Sequence, residues 1–171
     1  MTPTTIQITR QTLLDHDACN PGIGIWDELN IQTITWDWAN CRDSILKLPP
    51  ALLPYLGWAV DEKIIPTINL AETNLAKANL VNAYLHKANL HNAYLASANL
   101  TDAYLVDANL FGANLYNTSM TNTDLTCANL TCAYLRNANL ADVCWYNTKY
   151  NKHTVWPDGF DPTQHTGLVL V

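Results

Sequence analysis

The sequence predicts a mainly β solenoid of short strands behind a small helical N-terminal domain, and three observations predict it. Leu stands at every fifth position from Leu70 to Leu140, with Met120 the one exception. Two positions before most of them stands Ala, at Ala78, Ala83, Ala88, Ala93, Ala98, Ala103, Ala108, Ala113, Ala128, Ala133 and Ala138, with Thr73, Thr118 and Thr123 as variants. Charged residues make up only 14% of the 171 residues, against roughly 25% in an ordinary globular chain. Such a skew marks repetition.

The period of five decides the element. Five residues advance about 500° around an α-helix, so successive Leu side chains would smear around the axis and form no apolar face. In one straight strand, an odd period would send alternate Leu residues to opposite faces. Every Ala and Leu stays inside if a short extended segment is followed by a two-residue corner, since positions two apart in an extended segment point the same way. Repeated corners wind the chain into a tube whose backbone groups pair with the coils above and below, about 4.8 Å away. A narrow tube accepts alternating large Leu and small Ala.

The run AKANLVNAYLHKANLHNAYL, from Ala76 to Leu95, resembles the pentapeptide-repeat proteins, whose pattern is A-(D/N)-L-x-x and which are numerous in cyanobacteria. The resemblance covers residues 66–145. It implies a right-handed quadrilateral β-helix with four pentapeptides per coil, hence about four coils and a rod about 19 Å tall. The cluster Thr118-Ser119-Met120 with Thr123 departs from the pattern and predicts a local widening with the fold unaffected.

The repeat divides the chain into residues 1–65, 66–145 and 146–171. Residues 1–65 lack the period and read as short helices: one from Thr4 to Asp15, one beginning at Pro21, one after Thr35 to about Leu48, and one between Pro49-Pro50 and Glu62. Trp26, Trp36, Trp38 and Trp58 are their expected core. After Leu140 the pattern decays through Trp145, Tyr150 and Val155 into WPDGFDP, a C-terminal stop in which Pro157 and Pro162 oppose further strand pairing. Residues Leu168 to Val171 read as an edge strand that packs either on the rod or on a second copy, which keeps open a homodimer through an end of the solenoid.

Charge and chemistry narrow the function. The net charge is −6, with eight acids and four bases in residues 1–65 and five acids and three bases in residues 66–145. No basic surface for direct nucleic-acid binding is expected. The chain contains neither an apolar run long enough to span a membrane nor a signal-peptide pattern at its start, so a cytoplasmic protein with reduced cysteines is expected. Pentapeptide-repeat proteins that inhibit DNA gyrase resemble duplex DNA through a long anionic face. Here the column Asn82, Asp102, Asn122, Asp142 is thin for such a mimic of a topoisomerase substrate.

Metal and cofactor sites are not expected. His86 and His91 stand on different faces, with Asp107 in the column beside His86, and the surface thiols Cys127 and Cys132 occupy adjacent faces, so three or four ligands do not converge. Cys19, His16 and Asp17 are too close in sequence for a persuasive catalytic triad, so no enzyme is expected. Stacked tyrosines such as Tyr84 and Tyr104 read as structural ladders. Tyr94 and Tyr134 share a column beside that of Tyr116 and Arg136, and these four residues are the candidate surface for an unidentified protein partner. The expected function is a non-enzymatic rigid scaffold, with the gyrase-inhibiting DNA mimic as the alternative.

Overall fold

The computed structural model describes the backbone of β1 (Thr5–Thr9) and β2 (Thr33–Asp37) and all of residues 68–171. β1 and β2 pair antiparallel, with Gln7 opposite Thr35. This corrects the expected helical N-terminal domain at two places: the helix from Thr4 to Asp15 gives way to a strand over its first half, and the helix after Thr35 cannot begin before β2 ends. The segments TIQIT and TITWD are rich in β-branched Thr and Ile, which lose side-chain freedom in a helix and suit an extended chain. The helix expected from Pro21, the one before Glu62, and the remainder of the tryptophan core lie outside the described residues.

From residue 68 the chain is a β-helix solenoid in which extended segments alternate with two-residue turns. Parallel bridges join residues twenty apart and define four sides. The first side stacks Asn69, Asn89, Asn109, Asn129 and Lys149; the second Asn74, Tyr94, Asn114, Tyr134 and Val155. The third stacks Asn79, Asn99, Ser119 and Asn139, and the fourth Tyr84, Tyr104, Asp124 and Cys144. Each rung bonds upward and downward, as when Leu90 donates to Asn109 O (2.8 Å) while Asn109 donates to Ala88 O (2.9 Å). Backbone groups that a lone strand would leave to water are thereby paired along the axis.

The Leu and Ala positions point inward. Leu80, Leu85, Leu90, Leu95, Leu100 and Leu105 are fully buried, and Ala83, Ala88, Ala93, Ala98 and Ala103 lie between them. Burying each such Leu contributes roughly 2 kcal/mol. Met120 is equally buried, and the ladder runs through Ser119 unbroken to Asn99 and Asn139. The buried hydroxyls beside it are satisfied: Thr118 donates to Leu115 O (2.7 Å) and Thr123 to Leu100 O (2.8 Å).

The corners are β-turns closed by bonds such as Ala78 N to Leu75 O and Ala88 N to Leu85 O, both 3.0 Å. The second residue of each corner from Glu72 to Asn147 has a left-handed backbone, with φ between 53° at Asn92 and 65° at Gly112, the pattern of a type II turn. Asn, Asp or Gly fills many of these positions, including Asn82, Asn92, Asp102, Asp107, Gly112, Asn117 and Asn122, as the steric preference for that region demands. The central Asn of each repeat caps the corner that follows. Asn89 Oδ1 accepts from His91 N (3.2 Å) and Asn114 Oδ1 from Tyr116 N (3.0 Å). On the first side the same amides also bond one another, Asn89 Nδ2 donating to Asn69 Oδ1 at 3.0 Å.

Near the top, one extra residue enters the corner at Asn151, Lys152 and His153, so that Tyr134 pairs with Val155. Asn151 bridges the irregularity with its side chain, whose Oδ1 accepts from Cys132 N (3.1 Å) and His153 N (3.0 Å). The chain then closes the tube with aromatic rings. Trp156 stacks on Phe160 (4.8 Å) and Phe160 on His165 (4.3 Å), while Trp145 meets Trp156 edge-on at 5.8 Å. A short 3-10 turn, Pro162–Gln164, is capped by Asp161, which accepts from Thr163 N (2.9 Å) and Thr163 Oγ1 (2.7 Å). Those bonds hold its carboxyl below the usual carboxylate range. β3 (Thr148–Tyr150) then pairs in parallel with β4 (Leu168–Leu170), placing Val169 on Lys149. The last strand therefore packs on the rod and extends the first side at the same twenty-residue step.

Candidate interaction surface

The second side and the corner after it carry the candidate residues. Tyr94 is 47% exposed and lies two rungs below Tyr134, with Asn114 between them. Tyr116 stands at the following corner, 40% exposed, with its ring stacked on Tyr134 at 6.2 Å and 24°. Asn137 Nδ2 donates to the Tyr116 hydroxyl at 3.3 Å, which orients the ring without covering it. Arg136 follows Tyr116 one rung higher in the same corner column and is exposed. Tyr116, Tyr134 and Arg136 are thus brought together, and Tyr94 shares their side at a distance of about 10 Å along the axis.

Sequence reasoning missed the opposite border of this side. His91 stacks on Phe111 at 5.2 Å and 21°, at the corner that precedes Tyr94 and Asn114. Phe111 is exposed, as is Val155, one rung above Tyr134. The signal was present: counting in twenties puts residues 91 and 111 in one column next to the second side. The stacked pair expected to be structural, Tyr84 and Tyr104, is stacked on the fourth side at 5.4 Å and 13°.

The other candidates are dispersed. His86 packs edge-on to Tyr84 at 6.1 Å, and His91 Nε2 lies 3.1 Å from Asn92 Nδ2. Among the described residues no group of three His, Cys, Asp or Glu side chains converges. Cys127 and Cys132 occupy successive left-handed corner positions, and Cys144 Sγ lies 3.4 Å from Thr126 Oγ1. In the column Asn82, Asp102, Asn122, Asp142, the amide of Asn122 donates to Asp102 Oδ1 at 3.2 Å. His16, Asp17 and Cys19 lie outside the described residues. No helix among the described residues is long and apolar enough to cross a membrane.

The family model for pentapeptide repeats matches eight copies over residues 68–102 and 103–142. A pentapeptide repeat protein from Nostoc PCC 7120, alr5209, is 32% identical, with 60% of this chain and 84% of that one covered and a TM-score of 0.58. The chain belongs to the pentapeptide-repeat family. HetL, a pentapeptide repeat protein involved in heterocyst differentiation regulation in Nostoc sp. strain PCC 7120, is 24% identical over 51% of this chain and 48% of its own, with a TM-score of 0.44. Rfr23 from Cyanothece 51142 is 35% identical over 54% of this chain and 66% of its own, with a TM-score of 0.32. None of the curated proteins matches the chain. For a pentapeptide-repeat protein the outer positions are free to vary while the Ala and Leu positions are held by packing, so what distinguishes one member from another is written on its sides and corners.

Proposed function

We propose that this protein is a non-enzymatic rigid scaffold that holds a protein partner on its second side, with Tyr94, Tyr116, Tyr134 and Arg136 as contact residues. The observation that carries this reading is the grouping of exposed tyrosine rings beside an exposed arginine on one edge of a repetitive, well-packed rod. Tyr and Arg are enriched where proteins anchor one another, and a preformed backbone reduces the ordering cost of binding. In this reading residues 1–65 are an N-terminal cap or domain, and residues 146–171 are the C-terminal cap and tail. The cysteines, histidines and carboxylates of the rod stand on outward corner and side positions spread around its four sides.

The DNA-mimic reading is weaker on charge density. Asp102 and Asp142 are two rungs apart with an amide between them, so this column offers one carboxylate per about 10 Å. Duplex DNA carries one charge per about 1.7 Å.

Capture of partners from native host lysate, compared between the wild type and a variant with Tyr94→Ser, Tyr116→Ser, Tyr134→Ser and Arg136→Ser, tests the scaffold reading. The variant is expected to keep its circular dichroism spectrum and lose a partner. Capture and folding both intact would sink the assignment. Inhibition of supercoiling by a topoisomerase at micromolar protein would favour the mimic instead.

A further inference from the structure

The charged side chains of the rod are unevenly shared among its sides. Asp102 and Asp142 stand at the corner after the third side, Asp124 on the fourth side and Asp107 at the corner after it. The second side has no carboxylate at its centre, and its border acids are Glu72, on the lowest rung, and Asp158, exposed in the turn after Val155. Its upper rungs carry two exposed cations against that one acid: Arg136 at the following corner and Lys152 at the preceding one. Neither makes an ion pair among the described residues. His91 and His153 stand on the Lys152 border. Between these borders lie Tyr94, Phe111, Tyr134 and Val155, apolar surface that a partner can cover.

We infer that the occupant of the second side is an acidic protein segment bearing apolar side chains, its carboxylates meeting Arg136 and Lys152 and its apolar groups lying on Tyr94, Phe111 and Tyr134. This rests on the reading of the second side as an interaction surface and adds the chemistry of what binds there. Charge complementarity carries it. Unpaired cations beside aromatic rings favour carboxylates, and the Arg guanidinium can hold one with two parallel hydrogen bonds. Asp102, Asp107, Asp124 and Asp142, on and beside the third and fourth sides, repel an acidic segment there, so attraction at one side also fixes the docking orientation. A basic segment would be drawn to the third and fourth sides instead.

Random linear peptides displayed on phage, selected against the full chain, test this without presuming a sequence. The recovered peptides are then measured singly by fluorescence anisotropy against the wild type, Arg136→Glu/Lys152→Glu, Tyr94→Ser/Tyr116→Ser, and Lys87→Glu as a control on a different corner. The expected result is acidic peptides that lose roughly tenfold or more in affinity on Arg136→Glu/Lys152→Glu and on Tyr94→Ser/Tyr116→Ser, bind normally to Lys87→Glu, and weaken with added salt. Neutral or basic peptides that depend on the tyrosines would overturn the acidic assignment and leave the interaction surface standing. Peptides indifferent to the tyrosine substitutions, or no selected peptide at all, would overturn the acidic assignment, and the lysate comparison decides the surface separately. Each variant is first checked for an unchanged thermal transition.

Discussion

The corner residue sets the local energetics of this fold. A non-Gly residue in the left-handed region is unfavourable by about 1–2 kcal/mol, and Asn and Asp bear it best. Lys87 has φ 56°, and its exposed side chain makes no contact that requires lysine. Lys87→Gly is expected to stabilise the protein by about 0.5–1 kcal/mol, read as a rise in the denaturation midpoint. The buried hydroxyls act in the opposite direction. Thr123→Val removes the bond to Leu100 O, which keeps its turn bond from Ala103 N (3.0 Å). A loss of about 1 kcal/mol in urea unfolding is expected. The inward Ala and Leu positions were legible in the sequence because their spacing alone decides which way they face. The left-handed corner was not read from it, although Asn, Asp and Gly recur at that position. Lys77, Lys87, Ser97, Cys127 and Cys132 occupy the same position and dilute the pattern.

At the scale of elements, the instructive segment is the return of β4 to the rod. Gly167 has φ 99°, its carbonyl accepts from Thr148 N (3.1 Å), and a Cβ there would lie 2.9 Å from Trp145 O. Gly167→Ala is therefore expected to lift β4 from β3 while the coils below hold. Hydrogen exchange checks this: the Val171 amide, bonded to Tyr150 O at 2.9 Å, loses protection and the Leu110 amide does not. The sequence left two destinations for this strand because an edge paired with its own rod and one paired with a neighbour have the same composition. β1 and β2 were misread for a related reason. Five-residue segments such as TIQIT are too short for helical and strand periods to separate, and the choice fell to the longer window around each.

The whole molecule behaves as a stack in which each coil rests on its neighbours. Leu105→Ala, at a fully buried position near the middle of that stack, is expected to destabilise it by about 2–5 kcal/mol, the range for such a truncation when the cavity cannot collapse. A calorimetric transition shifted downward as a unit would show that coils melt together. The four sides were legible through the family resemblance, and the residues sharing each side follow by counting in twenties. The distribution of charge among the sides was open to the same count, but the total of −6 concealed it.

Because the sides recur every twenty residues, chain length in this molecule is also an angle. Duplicating residues 103–107 adds one repeat that the core can accept, yet it turns everything above by a quarter revolution. Tyr116, Tyr134 and Arg136 would then face a different direction from Tyr94. Duplicating residues 88–107 adds a full revolution and restores their bearing. The shorter duplication is expected to lose partner capture and the longer one to keep it, with both folded by circular dichroism. A surface of this kind is inherited in whole revolutions, and a single misplaced repeat scatters it around the compass without disturbing one buried leucine.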